Sequence, residues 1–104
     1  MSGQAVNNQM LIGVLTIKFR LHGITSLKAK RKISNSLKQK LKNKFNMAVA
    51  EADYQDSLDY LSICMTTLAN RKTKVEEVLN KALAMIDAIS NDDIMDVKME
   101  VFGV

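Results

Sequence analysis

Apolar and polar residues alternate along residues 10–22 of the chain. Five apolar side chains of this stretch would share one face: Leu11, Leu15, Ile17, Phe19 and Leu21. Four polar side chains would share the other: Thr16, Lys18, Arg20 and His22. An alternation with period two over this length is typical of a half-buried strand. We therefore predict a first strand over residues 10–22, followed by a break at Gly23, which tolerates positive φ.

The apolar period changes to 3.6 residues after Ser26, which is a favourable helix N-cap. The stripe that follows has helical spacing and contains Leu27, Ile33, Leu37, Leu41 and Phe45. This pattern predicts a first helix that ends at about Lys44.

Two further strands are predicted over residues 46–54 and 58–69, because both are rich in apolar residues and flank a turn-forming segment, residues 55–57. In the strand over residues 58–69, the side chains expected to face the core are those of Leu61, Ile63 and Met65.

A second helix follows, beginning at Asn70 or at Thr73, since Thr73 and Glu76 have the spacing of a capping box. Its apolar face contains Val75, Val78, Leu79, Ala82, Ile86 and Ile89. The second helix is predicted to end at residues 90–92. In the last predicted strand the inward residues are Met95, Val97, Met99 and Val101.

The predicted order is β-α-β-β-α-β. With short loops and right-handed crossovers, this order gives an α+β, ferredoxin-like βαββαβ sandwich. Its four-stranded antiparallel sheet has the strand order 4-1-3-2 and carries both helices on one face. Residues 1–9 are polar and aperiodic, so we predict a flexible N-terminal tail and a single domain over residues 10–104.

The composition excludes several classes of function. The chain has 104 residues, one cysteine and one histidine, which exclude an internal disulfide, a His-based metal site and a Ser-His-Asp triad. No apolar run approaches the 18 residues or so of a transmembrane helix, and no secretory signal opens the chain. We therefore expect a cytoplasmic protein with no membrane association, no metal and no cofactor.

Charge is unevenly distributed. Residues 1–50 hold ten Lys or Arg residues and no Asp or Glu, whereas residues 51–104 hold five basic and eleven acidic residues. Eight of the basic residues lie between Lys28 and Lys44. Such segregation indicates a surface for an anionic partner, or two halves that neutralise each other in the fold.

The basic residues of the first helix are the strongest local feature. The candidate anion- or nucleic-acid-binding residues are Lys28, Arg31, Lys32, Lys38 and Lys42. Cations are unfavourable at a helix N-terminus, where the macrodipole is positive, so their concentration there suggests a bound phosphate or a compensating partner. A phosphate-binding surface and a solvated basic face both remain open.

Lys30 differs from its basic neighbours because it lies in the apolar stripe. In this topology the second strand ends near the start of the first helix, which brings Glu51 and Asp53 close to it. We predict a structural charge cluster of Lys30, Glu51 and Asp53, with Glu51 as the partner of Lys30.

The outer face of the sheet offers little for base stacking. The first strand has no outward aromatic residue, and Tyr60 is the only one on the third strand, so binding in the manner of an RNA-recognition motif is rejected. Lys18 and Arg20 on the first strand and Asp96, Lys98 and Glu100 on the fourth are expected to neutralise each other across the strands. A row of alanines, Ala48, Ala50 and Ala52, indicates close packing or a homodimer contact through the sheet.

Several motifs resemble those of the YlxP-like family of small bacterial domains. They are Ser26-Leu27-Lys28-x-Lys30-Arg31, Asn46-x-x-Val49-Ala50-Glu51 and Asp53-x-Gln55-Asp56, within a similarity over residues 10–102. The resemblance implies a ferredoxin-like fold and a gene setting shared with translation-initiation and ribosome-maturation factors. Tyr54 stands where the family often has a histidine, which argues against a catalytic base there.

Three functions remain as hypotheses. The first is a non-catalytic accessory protein that binds the ribosome or structured RNA through the first helix. The second is a protein-interaction or dimerisation module whose basic helix meets an acidic protein surface. A remote third is an enzyme with a phosphorylated substrate at Lys28, Arg31 and Asn46, although no group is placed there to activate water.

Overall fold

The computed structural model describes residues 9–104, so the predicted tail lies, except for Gln9, outside the described residues. The elements are β1 (Leu11–Arg20), α1 (Leu27–Lys44), β2 (Ala48–Glu51), β3 (Tyr60–Ala69), α2 (Lys72–Ile89) and β4 (Asp93–Gly103). The sheet order is β2-β3-β1-β4 and every neighbouring pair is antiparallel. The predicted ferredoxin-like sandwich is confirmed.

The core lies between one face of the sheet and the two helices. β1 is a central strand, and its inward set is the one predicted from the alternation. The buried apolar residues are Leu15, Ile17, Phe19, Leu21, Leu37, Leu41, Val49, Leu61, Ile63, Met65, Val75, Leu79, Ala82 and Ile86. α1 packs mainly against β2, an edge strand, whereas α2 packs against β1, β3 and β4.

β2 is shorter than predicted. The prediction of a strand over residues 46–54 is wrong at both ends, since pairing with β3 covers Ala48–Glu51 and continues only through the bond from Ala52 N to Ser62 O, 2.8 Å. Tyr54 then adopts a φ of 66°, in the left-handed region, which ends the extended chain. Residues 52–59 form a loop, which we call the β2–β3 loop.

The start of α2 also differs from both predicted positions. Arg71 is the N-cap residue and makes no side-chain capping bond, so neither Asn70 nor the Thr73–Glu76 capping box begins the helix. Only two residues separate β3 from α2. The packing of Val75 against the sheet therefore sets the start of the helix and overrides the local capping signal.

A β-bulge changes the inward set of β4. The register shifts between Lys18 and Phe19, so that Phe19 pairs with Ile94 and Lys18 with Asp96. Met95 has no partner at this point and is 52% exposed, contrary to the prediction that it faces the core. Ile94 takes the inward position instead.

Gly13 allows α2 to lie close to β1. A Cβ added at this position would collide with Cγ1 of Val75 and lie 2.8 Å from Cδ1 of Leu79. Val75 is β-branched and therefore has little rotamer freedom within a helix. A glycine is required here by the close approach of the helix.

We predict that Gly13→Ala lowers the free energy of unfolding by about 1–3 kcal/mol, because the added methyl group overpacks the interface. Urea unfolding of the wild type and the variant measures this change. In a Val75→Ala background the same substitution should have a smaller effect, because part of the collision is removed. An unchanged stability of Gly13→Ala would contradict the packing argument.

Candidate functional site

The α1 cationic surface consists of the five predicted anion-binding residues, Lys28, Arg31, Lys32, Lys38 and Lys42. Four of them are exposed and Lys38 is half-buried. Ser26 caps the helix as predicted, because its Oγ accepts a hydrogen bond from Ala29 N at 3.1 Å. The first turn contains no acidic residue. The positive end of the helix dipole and the basic side chains therefore act in the same direction.

None of these five cations has a carboxylate within 4.0 Å among residues 9–104. In α1 only the buried Lys30 is paired with an acidic residue within the described range, namely Glu51. The other paired acidic residues join Asp93 to His22, Glu77 to Lys81 and Glu100 to Lys98. Glu77, which is exposed, has a pKa below its usual value because Lys81 donates a hydrogen bond to it.

A cleft of about 430 Å³ borders the α1 cationic surface. Lys32 and Lys40 line one side, while Ser90 and Asn91, just beyond the end of α2, line another. Its apolar floor includes Leu37. The cleft therefore combines two cations, the Asp92 carboxylate and apolar area, next to the stripe of Arg31, Lys38 and Lys42.

Lys30 is buried, with 1% of its surface exposed. Its Nζ donates hydrogen bonds to Tyr54 O and to Ser57 O, the latter at 2.8 Å. It also lies 3.6 Å from Oε2 of Glu51, the partner chosen from the sequence, whose side chain is 16% exposed. Glu51 reaches this position because it pairs with Ile63 on the core face of the sheet. A buried ammonium group is tolerated here because three oxygen atoms surround it.

Asp53, the third member of the predicted charge cluster, is exposed and makes no ion pair with α1 in the described chain. Asp56 instead lines a small cleft at the start of α1, together with Arg31, Glu51 and Gln55. The loop turns between these residues, so that Asp53 is directed into solvent.

Lys30 fixes the shape of the β2–β3 loop. The two carbonyl groups that it binds belong to the first and last residues of a tight turn, in which Ser57 N donates to Tyr54 O at 3.0 Å. Ser57 Oγ then accepts from Asp59 N and Tyr60 N at 3.1 and 3.2 Å. The loop is therefore held at both ends of the turn.

The loop brings Tyr54 onto the outer face of the sheet, next to Tyr60. The two ring centroids are 5.5 Å apart with an interplanar angle of 48°. Lys18 Nζ lies 4.7 Å from the Tyr54 centroid and 4.5 Å from that of Tyr60, and the Arg20 guanidinium carbon lies 5.6 Å from the latter. We call Lys18, Arg20, Tyr54 and Tyr60 the sheet-face cluster.

The outer face thus carries two neighbouring aromatic rings, contrary to the prediction that it offers little for base stacking. Tyr54 was predicted to end a strand, and Tyr60 to be an isolated aromatic residue. The predicted neutralisation between β1 and β4 is not seen for Lys18, which lies over the two rings, or for Lys98, which pairs within its own strand with Glu100 at 3.1 Å. The sequence feature that could have indicated this cluster is the turn-forming segment directly after Tyr54, because a turn there ends the strand before Tyr54.

The remaining reactive side chains have ordinary surroundings. Cys64 is half-buried and lies 3.7 Å from Thr16 Oγ1, and His22 Nε2 lies 2.9 Å from Asp93 Oδ2 at the surface. Across the described residues, no three His, Cys, Asp or Glu side chains are grouped to hold a metal ion. Within the same range, neither helix has the length and apolar character needed to cross a membrane.

A family model described as "Protein of unknown function (DUF503)" matches residues 12–99. The chain belongs to the DUF503 family. It is also 28% identical over 78 residues to "Uncharacterized protein YlxP" of Bacillus subtilis (strain 168), which corresponds to 75% of this chain and 85% of that protein. The resemblance to YlxP-like proteins stated from the motifs is confirmed.

Solved structures share the fold of this DUF503 protein. The flavoenzyme CrmK of caerulomycin biosynthesis matches with a TM-score of 0.56 and 15% identity, over 89% of this chain and only 20% of that enzyme. A dimeric ferredoxin-like protein of unknown function from Thermobifida fusca matches with a TM-score of 0.47 and 13% identity, over 91% and 92% of the two chains. At 15% identity the match to CrmK shows the fold alone.

Lys30→Met is predicted to lower the free energy of unfolding by about 3 kcal/mol, because Glu51 and two loop carbonyls lose their buried cationic partner. Lys32→Met, an exposed lysine of the same helix, should change stability by less than about 0.5 kcal/mol. Urea unfolding measures both. Equal stabilities of the two variants would show that the buried contacts of Lys30 are not stabilising.

Proposed function

We propose that this protein is a non-catalytic accessory protein that binds ribosomal or other structured RNA through the α1 cationic surface. The proposal rests on the row of four exposed cations and the half-buried Lys38 along α1, none of which has a carboxylate partner among the described residues. From Lys28 to Lys42 the row is roughly 21 Å long, at about 1.5 Å per helical residue.

Electrostatics supports an anionic ligand for this surface. Like charges along one helix face repel each other, and those in the first turns also oppose the helix dipole. Phosphate groups would relieve both effects, and their binding is favoured further by the release of counterions from the nucleic acid. No acidic residue of the first turn itself opposes the approach of phosphates.

A ribosomal ligand agrees with the gene setting that the resemblance to YlxP-like proteins implies. A non-catalytic role agrees with the surroundings of the single histidine, since His22 is exposed and paired with Asp93 rather than directed at a nucleophile. An acidic protein surface would satisfy the same cations, so the experiment must separate RNA from protein.

Replacing Arg31, Lys38 and Lys42 together by Gln is predicted to weaken RNA binding and its salt dependence. For a structured RNA such as a hairpin of about 20 nucleotides, the slope of log affinity against log salt should become less negative by about 2 to 3, at roughly 0.7 to 0.9 per lost phosphate contact. Fluorescence anisotropy across a salt series measures the slope. The matched control replaces Lys72, Lys74 and Lys81 of α2 by Gln, which removes the same charge elsewhere and should leave the slope near the wild-type value. Identical slopes for the two triple variants would contradict the proposal.

Affinity purification from lysate separates the two classes of partner. If the α1 cationic surface binds RNA, nuclease treatment should abolish the co-purification of ribosomal material with the wild type. The α1 triple variant should not co-purify with ribosomal material even without nuclease. Material that survives nuclease but is lost from the α1 variant would indicate an acidic protein partner instead.

A second candidate function is self-association through the outer face of the sheet. The end of this face away from the sheet-face cluster is apolar, and Leu68 and Phe102 are 62% and 46% exposed there, beside Ile12 in the strand register. Apolar side chains exposed together are typical of an interaction surface. A two-fold contact between two copies would bury them.

For this second candidate, we predict that Leu68→Glu shifts a dimer–monomer equilibrium toward the monomer, because it places a charge in the contact. Leu68→Met, which retains apolar area, should leave the equilibrium nearly unchanged. Sedimentation equilibrium measures both. A wild-type protein that stays monomeric at about 100 μM would exclude self-association as its function, since weaker contacts are typical of crystal packing.

A further inference from the structure

The outer face of the sheet has two unlike halves. One half is apolar and ends at Leu68 and Phe102. The other carries the sheet-face cluster, where Tyr54 is 41% exposed even though its ring touches Tyr60 and Lys18. Ser62, which lies opposite Lys18 in the register, is only 3% exposed, so side chains cover the sheet at this end. The cluster therefore presents aromatic and cationic groups above a closed surface.

The cations of the cluster are directed toward the rings and not toward acids. Asp96 lies opposite Lys18 and Asp93 opposite Arg20 in the β1–β4 register. Neither cation has a carboxylate within 4.0 Å among the described residues, and Asp93 is paired with His22. Two positive charges thus remain available beside two aromatic rings.

The position of Tyr54 is fixed from the other side of the sheet. Its carbonyl oxygen accepts a hydrogen bond from buried Lys30, while its ring lies on the outer face. The left-handed φ of 66° allows the carbonyl group and the ring of Tyr54 to lie toward opposite sides of the sheet. Such pre-organisation reduces the entropy lost when a ligand stacks on the ring.

We infer that the sheet-face cluster binds single-stranded RNA, with a base stacked on the exposed side of Tyr54 and neighbouring phosphates held by Lys18 and Arg20. An unpaired strand is required because the bases of a duplex are not available for stacking on a side chain. Aromatic rings flanked by cations are the arrangement that binds single strands with little sequence preference. The inference rests on the proposed function in taking RNA as the ligand, but it uses a different surface and different residues.

The two tyrosines of the cluster are the only tyrosines in the chain, which also has no tryptophan. Protein labelled with 3-fluorotyrosine therefore gives one fluorine NMR signal from each ring, and both report on this site alone. Titration with a single-stranded RNA of about 12 nucleotides should shift the Tyr54 signal. A blunt duplex of the same sequence should shift it much less at equal occupancy, as determined by anisotropy.

Substitutions test the same site by affinity. Tyr54→Leu should weaken binding of the single strand at least fivefold, since stacking on an aromatic ring contributes about 1–3 kcal/mol per base. Tyr54→Phe keeps the ring and should bind within about twofold of the wild type. Lys18→Gln should make the salt slope less negative by about 0.7. Far-ultraviolet circular dichroism and urea unfolding establish that each variant is folded.

The outcomes separate this inference from the proposed function. RNA binding that leaves both fluorine signals unchanged and is insensitive to Tyr54→Leu would overturn the sheet-face site, while loss of binding in the α1 triple variant would still support the α1 cationic surface. If Tyr54→Leu weakens RNA binding and RNA shifts the fluorine signals, while the α1 triple variant binds like the wild type, the sheet-face site is supported and the α1 proposal is overturned. No RNA binding at any salt concentration overturns both. Signals that depend on protein concentration without RNA, and do not move when RNA is added, would assign the face to a second copy of the chain.

Discussion

The buried ammonium group of Lys30 constrains the structure on both sides of the sheet. A charge with 1% exposure requires polar partners in fixed positions, and the chain supplies them from Glu51, Tyr54 and Ser57. Two of these partners are backbone carbonyls, so the requirement acts on the path of the chain and not only on side chains. The β2–β3 loop therefore takes one shape, and that shape sets where the Tyr54 ring lies.

The two helices differ in the residues that they bury and in the charge that they carry. α2 lies over β1 close enough to require Gly13, and it buries four residues along its apolar face. α1 packs mainly on the edge strand β2, and two of its four buried residues, Lys30 and Ser34, are polar. Ser34 Oγ has no hydrogen-bond partner among the described residues. Each helix exposes ten of its 18 residues, so the helices differ in what they carry: α1 has eight Lys or Arg residues and no Asp or Glu.

Sequence patterns predicted the features that local periodicity determines. The alternation of Leu15, Ile17 and Phe19 and the helical spacing of α1 gave the elements and their inward faces, and the element order gave the topology. Lys30 was identified as anomalous because a cation interrupted an apolar stripe. The bulge at Met95, the glycine contact at Gly13 and the sheet-face cluster depend on which residues meet across the sheet. The spacing of residues along one segment does not indicate which residues contact each other across the sheet.

The geometry of the two candidate surfaces favours separate RNA segments over one continuous path. The α1 cationic surface lies in the helical layer and the sheet-face cluster lies on the outer side of the sheet, so a strand joining them must pass an edge of the sandwich. At the edge formed by the start of α1 and the β2–β3 loop, the cleft carries Glu51 and Asp56 beside Arg31. These carboxylates would repel phosphates along the shortest path. If both surfaces bind RNA, an unpaired segment and a distant part of the same molecule would engage them together, and the affinity would then depend on the length of RNA between the two segments.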